Sequence, residues 1–174
     1  MALVVFVRGL NVGGHRTFRP AVLAGELKQL GTINIGAAGT FVIDKPVTPS
    51  KLRAEILRRL PFGAEIMICR GSEIRRLLNA GLFAGRPARP GITRFVSILS
   101  RLPRKKPNLP LQLPQEGRWM LKVQRREGRF VAGLYRRRMQ AIGYLGKLDT
   151  LFGVRATTRS WSTIAAVGRA LDHI

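Results

Sequence analysis

The stretch Arg8-Gly9-Leu10-Asn11-Val12-Gly13-Gly14-His15-Arg16-Thr17 joins small residues to cationic side chains, a combination suited to holding an anion. Adjacent glycines let successive backbone N–H groups converge as a nest, and Arg8, His15, Arg16 and Arg19 crowd around it. The spacing from Gly9 to Gly14 matches the start of a phosphate-binding loop, but His15 and Arg16 stand where that loop needs Lys and then Ser or Thr. The helix expected next begins near Pro20, too late for its first N–H groups to close over a phosphate. A nucleotide-hydrolysing P-loop is therefore excluded. Two readings stand: an anion nest for a small phosphorylated ligand, or a glycine-rich connection from strand to helix.

A second cluster, Thr157-Thr158-Arg159-Ser160-Trp161-Ser162-Thr163, places hydroxyls, a guanidinium and an indole at the expected start of the last helix. In one account a Ser or Thr caps that helix, Trp161 packs into the core and Arg159 is solvated. In the other, Thr158 and Arg159 face a substrate or phosphate.

The third feature is charge. From Arg101 to Arg138 there are twelve basic and two acidic residues, a local net of +10. Arg104, Lys105, Lys106, Lys122, Arg125, Arg126, Arg129, Arg136, Arg137 and Arg138 form a candidate polyanion-binding set, with Trp119 or Tyr135 as platforms for stacked bases. The aromatic pattern of an RNA-recognition motif is absent. The alternative is a solvated basic face.

Catalytic and metal-ligating constellations are missing from the pattern. The nine carboxylates are scattered, Cys69 ends an apolar strand with no neighbouring His, and His15 and His173 lie far apart. No metal, cofactor or catalytic residue is expected, Cys69 reads as a buried thiol, and whether the chain is an enzyme is left open.

The elements that position these residues follow from periodicity. Ala2 to Val7 is a short buried strand; Leu23, Leu27 and Leu30 mark a helix from Pro20 to a C-cap at Gly31. Ile33–Ile35 and Thr40–Ile43 flank a tight turn. A helix from about Thr48 buries Leu52, Ile56 and Leu60, pairs Glu55 with Arg59 and stops at Pro61. A strand follows at 64–69, completing β-α-β-β-α-β, the ferredoxin-like order. A helix over 72–80 leads to a Gly- and Pro-rich boundary, a strand over 93–99, and an irregular proline-rich crossing from 102 to 117. Trp119, Leu121 and Val123 then alternate, Arg125–Arg129 turns, and Phe130, Ala132 and Leu134 return. Helices near 143–152 and after Thr158 complete the chain, the last with Trp161, Ile164, Ala165 and Gly168 on one face. The expected class is α+β: a ferredoxin-like half with connecting helix over 1–80, then a second, partly degenerate ferredoxin-like half over 92–174 with a C-terminal helix.

The 174 residues are enough for such a core, and one cysteine fits a reducing, cytoplasmic setting. The N-terminus lacks the pattern of a secretory signal. The longest uncharged window, Gln29 to Ile43, has 15 residues, short of the about 20 a membrane-spanning helix needs, so no membrane association is expected. A formal charge of +22 implies attraction to polyanions, nucleic acid foremost.

Arg8–Gly14, "RGLNVGG", resembles the Arg-Gly-Ile-Asn-Val-Gly-Gly of the uncharacterised domain-of-unknown-function family 1697, and "TTRSWSTI" resembles its Thr-Thr-Arg-Asn-Trp-Asn-Thr-Val. The resemblance implies paired ferredoxin-like halves and no known reaction. It also implies that Arg8, Gly9, Asn11, Gly13 and Gly14 meet Thr157, Thr158, Arg159, Trp161 and Thr163 on one surface. The sequence departs from the family where Gln-Ser-Gly-Asn becomes Ala37-Ala38-Gly39-Thr40, which removes two hydrogen-bonding side chains. Three functions fit the sequence: low-specificity, noncatalytic binding of nucleic acid or another polyanion; an enzyme or sensor for a small phosphorylated ligand; and a homo-oligomer formed through sheet edges.

Overall fold

Five consecutive apolar residues, Leu3–Val7, form β1, buried at every position because it has a strand on each side and covered faces above and below. The computed structural model in which it lies describes residues 1–10 and 17–174. After β1 come α1 (Pro20–Glu26), a 3-10 turn at Lys28–Leu30, β2 (Thr32–Ile35), β3 (Thr40–Ile43), α2 (Pro49–Arg59), β4 (Ile66–Arg70) and α3 (Gly71–Asn79). The sheet order is β2-β3-β1-β4, antiparallel throughout, with Val5 opposite Phe41 on one side and Ile68 on the other.

That register puts Leu3, Val5, Val7, Phe41, Ile43 and Ile66 in one cluster with Leu23 of α1 and Leu52 and Ile56 of α2. Leu23 and Leu27 are buried as their period implies, although the α-helix ends at Glu26 and the expected run to Leu30 finishes as a 3-10 turn. On the opposite face Val4, Phe6, Val42, Met67 and Cys69 are also buried. The Thr48 hydroxyl accepts the Lys51 N–H at 3.2 Å, capping α2. Thr48→Ala should lower stability by about 1 kcal/mol, measurable by urea denaturation. Glu55 is held by Arg59 and Arg58, which keep its carboxyl below the ordinary carboxylate range.

Met1–Leu78 and Ser162–Ile174 form one compact unit and Asn79–Trp161 another. The C-terminal helix, expected with the 92–174 segment, is thus grouped with the first unit. There Arg75 pairs with Asp172 at 2.7 Å and donates to the Leu171 carbonyl.

The second unit contains β5 (Ile92–Leu99), β6 (Leu111–Leu113), β7 (Leu121–Glu127), β8 (Phe130–Arg136), α4 (Met139–Gly146), α5 (Leu148–Phe152) and β9 (Ala156–Ser160); α6 (Trp161–Asp172) follows. Its sheet is antiparallel in the order β6-β7-β8-β5-β9. With β6 set aside, the permutation β7-β8-β5-β9 repeats β2-β3-β1-β4. Phe95, Leu99, Leu121, Val123 and Val131 on one face pack with Leu148 and Phe152 of α5. Among the described residues the architecture is α+β, with two antiparallel sheets and six helices. No helix among them is long and apolar enough to cross a membrane.

Several expectations for this half need correction. The crossing at 102–117 is not wholly irregular: Leu111–Leu113 pairs with β7, while Pro110 and Pro114 bracket this short edge strand, where a missing N–H is tolerated. Arg125–Glu127 continue β7, so the turn shrinks to Gly128 and Arg129. The helix expected at 143 begins at Met139, whose 83% exposure hides it from a search for buried periodicity. Thr157–Ser160 are a strand, not a helix start, and the buried stripe of α6 is Ile164, Val167, Gly168 and Leu171.

Candidate polyanion-binding face

Strand pairing sorts the basic tract into faces. Paired residues project to the same side of a sheet, so one cross-strand row away from the Phe95 cluster reads Gln112, Lys122, Leu134, Arg94. A second reads Arg125, Ala132, Val96, Arg159, and Arg136 lies on the same side opposite Ile92. Lys122 and Arg125 are three apart yet share a face because the register shifts between Val123 and Arg125, leaving Gln124 as the extra residue of a bulge.

Trp119 anchors the exposed end of this face. The Arg136 guanidinium carbon lies 4.1 Å and Lys122 Nζ 4.6 Å from the indole centroid, and Arg136 Nε donates to the Trp119 carbonyl at 2.7 Å. Both cations are thereby fixed over an aromatic ring. Partial desolvation, followed by the charges of Arg118 and Arg138, holds the Arg136 pKa below the ordinary arginine value. Such crowding is relieved by an anion. Arg125 donates to the Ala80 carbonyl at 3.2 Å and lies 3.8 Å from Glu127.

The rest of the expected set is dispersed. Arg126 pairs with Val131, on the side of the Phe95 cluster, and donates to the Gly128 carbonyl. Arg129 occupies the turn; Arg137 and Arg138 are exposed beyond β8. Arg104, Lys105 and Lys106 are exposed, with the Arg104 and Lys105 N–H groups donating to the Phe152 carbonyl at the end of α5. Tyr135 is no open platform: it is half-buried, tilted against Phe95 at 5.8 Å between centroids.

Arg159, expected to be solvated in the capping account, is only 6% exposed. It donates to the Thr157 hydroxyl and the Thr158 carbonyl, each at 2.8 Å, and burial pushes its pKa down to about 10, so it remains a cation at neutral pH. The Thr158 and Ser97 hydroxyls are 2.6 Å apart. Trp161 meets Phe83 edge-on at 5.0 Å, and Arg94 lies over Phe83 at 5.6 Å.

Asn11, Gly13, Gly14, His15 and Arg16 of the expected anion nest lie outside the described residues. Of their neighbours, Arg8 donates its N–H to the Glu65 carbonyl at 2.9 Å, and Gly9 takes φ +73°. At the Ala37–Thr40 turn, Gly39 has φ +81°, and a Cβ there would come within 2.9 Å of Leu10 and 3.1 Å of Val7. Glycine at 39 therefore has a structural reason.

Sequence reasoning missed Arg86, Gln112 and Gln124, which line a cleft beside Lys122. The only signal for them was the phase of Lys122, opposite to Leu121 and Val123.

No family model matches the chain, and no curated protein matches it. Among solved structures, the conserved bacterial protein SP0830 from Streptococcus pneumoniae is similar in fold, with 16% identity, 98% of each chain covered and a TM-score of 0.60.

Proposed function

We propose that this is a noncatalytic, cytoplasmic protein that binds nucleic acid or another polyanion with low sequence specificity. Its halves are read as ferredoxin-like, the second partly degenerate, and the Arg8–Gly14 and Thr157–Ile164 motifs support kinship with family 1697. The observation that carries the function is the grouping of Lys122, Arg125 and Arg136 on one sheet face, with Lys122 and Arg136 held over the Trp119 ring. Cations tethered to an aromatic suit a phosphate backbone, which needs positive charge at several points and no base-specific contacts. The rival reading, a small phosphorylated ligand clamped by Arg159, gains less support, since that guanidinium is buried and hydrogen-bonded to its own strand.

The test is fluorescence anisotropy of nuclease-treated protein with labelled oligonucleotides across a salt series. On duplex DNA three phosphate contacts give a slope of log K against log salt of about −2.7, or about 40-fold weaker binding for a fourfold rise in salt. Lys122→Ala with Arg136→Ala should flatten the slope by about 1.8. Arg76→Ala, at an exposed position of α3, should leave it unchanged. Salt-insensitive binding, or a double variant with the parental slope, rejects the proposal.

A further inference from the structure

A cleft of about 480 Å³ is lined by Arg86, Pro110, Leu111, Gln112, Gln124 and Lys122, the residue whose Nζ lies over Trp119. Its size falls in the range of about 300 to 1,000 Å³ typical of sites for small organic groups. Its composition is specific in kind: two cations, two side-chain amides, a proline and a leucine, with no carboxylate in the lining. Gln112 is already engaged, donating to the Gln115 carbonyl at 3.2 Å. Gln124 is different, because its Oε1 is buried with no hydrogen-bond partner among the described residues.

A buried amide oxygen left unpaired is costly, and native structures rarely keep one without a role. Gln124 is also the extra residue of the β7 bulge, a device that re-aims a side chain and is enriched next to functional sites. Rotating its amide about the last side-chain bond exchanges oxygen for nitrogen, so it can present either an acceptor or a donor to the cleft.

We propose that this cleft receives an unstacked base of single-stranded nucleic acid, with Gln124 hydrogen-bonding the base edge and Arg86 and Lys122 engaging the adjoining phosphates. The inference rests on the polyanion reading above and narrows it to single strands. A duplex keeps its bases stacked and paired, whereas a flexible strand can turn one base out into a recess. An amide able to offer donor or acceptor accommodates different bases, consistent with low sequence specificity.

The test compares a short, mixed-sequence, fluorescein-labelled single strand with its duplex at fixed low salt. The single strand should bind about tenfold more tightly. Gln124→Met, which keeps the length and removes the amide, should narrow that gap about fivefold while leaving duplex affinity and the salt slope unchanged. Its melting temperature should stay level or rise, since an unpaired amide has been removed. Arg86→Ala, at an exposed residue, should weaken single-strand binding independently of any folding effect at position 124. Equal affinity for both forms with a steep salt slope overturns the cleft and leaves the polyanion reading standing; no binding to either form overturns both. Displacement by a free nucleoside monophosphate at equal nucleotide concentration overturns the strand as occupant.

Discussion

Gly133→Ala is expected to lower the unfolding free energy by about 4 kcal/mol, above the usual range for overpacking. A Cβ at this position would overlap the Lys122 carbonyl oxygen and lie 2.9 Å from Phe95 Cε1. The backbone at Gly133 has no need of left-handed φ; the constraint is space. A side-chain tip could rotate aside, but a carbonyl in the β7–β8 ladder moves only if the strands part. Gly133 pairs with Val123, directly before the Gln124 bulge, so accommodation would also displace Lys122 and the cleft wall. Urea denaturation checks the magnitude. Gly143→Ala, on helix α4 with nothing within 4 Å of the new methyl, should instead stabilise by up to about 1 kcal/mol. A Gly133→Ala protein as stable as its parent would refute the β7–β8 register on which the cationic face is built.

The same β7–β8 pair shows where sequence reasoning stops. Leu121 and Val123 alternate cleanly with Lys122, and Phe130–Arg136 supplies the returning strand, so the hairpin was legible from a period of two. The bulge was not: an extra residue at Gln124 leaves no compositional mark, yet it moves Arg125 onto the face of Lys122 and sends Arg126 to the other. Counting charges from Arg101 to Arg138 therefore found the tract without dividing it. In the first unit the local pattern carries further, and Leu23 of α1, the Thr48 cap and the apolar β1 are all legible residue by residue. Thr157–Ser160 failed for a different reason. Hydroxyl-rich residues before an apolar helical stripe imitate a cap, and only pairing with the distant β5 makes them a strand. Arg159 followed the same error, since an arginine beside a helix start is ordinarily solvated.

That arginine supplies the second large effect: Arg159→Ala should cost about 3 kcal/mol, and Arg159→Met less than half as much. Burial decides what the guanidinium contributes. A charge taken out of water is expensive, and Arg159 recovers part of that cost through hydrogen bonds to the Thr157 hydroxyl and the Thr158 carbonyl. Alanine removes those bonds and also leaves a void in a sheet face where Val96 and Ile98 are fully buried. Methionine fills much of the space and relieves the desolvation, leaving chiefly the lost hydrogen bonds. A residue retained to clamp an anionic ligand behaves oppositely. Its buried charge burdens the unliganded fold, so the methionine variant would melt higher than the parent. Thermal melts of the two variants separate a guanidinium that organises β9 from one held ready for phosphate. We expect both melting temperatures to fall, alanine further than methionine, with the salt slope of oligonucleotide binding unchanged in the methionine protein.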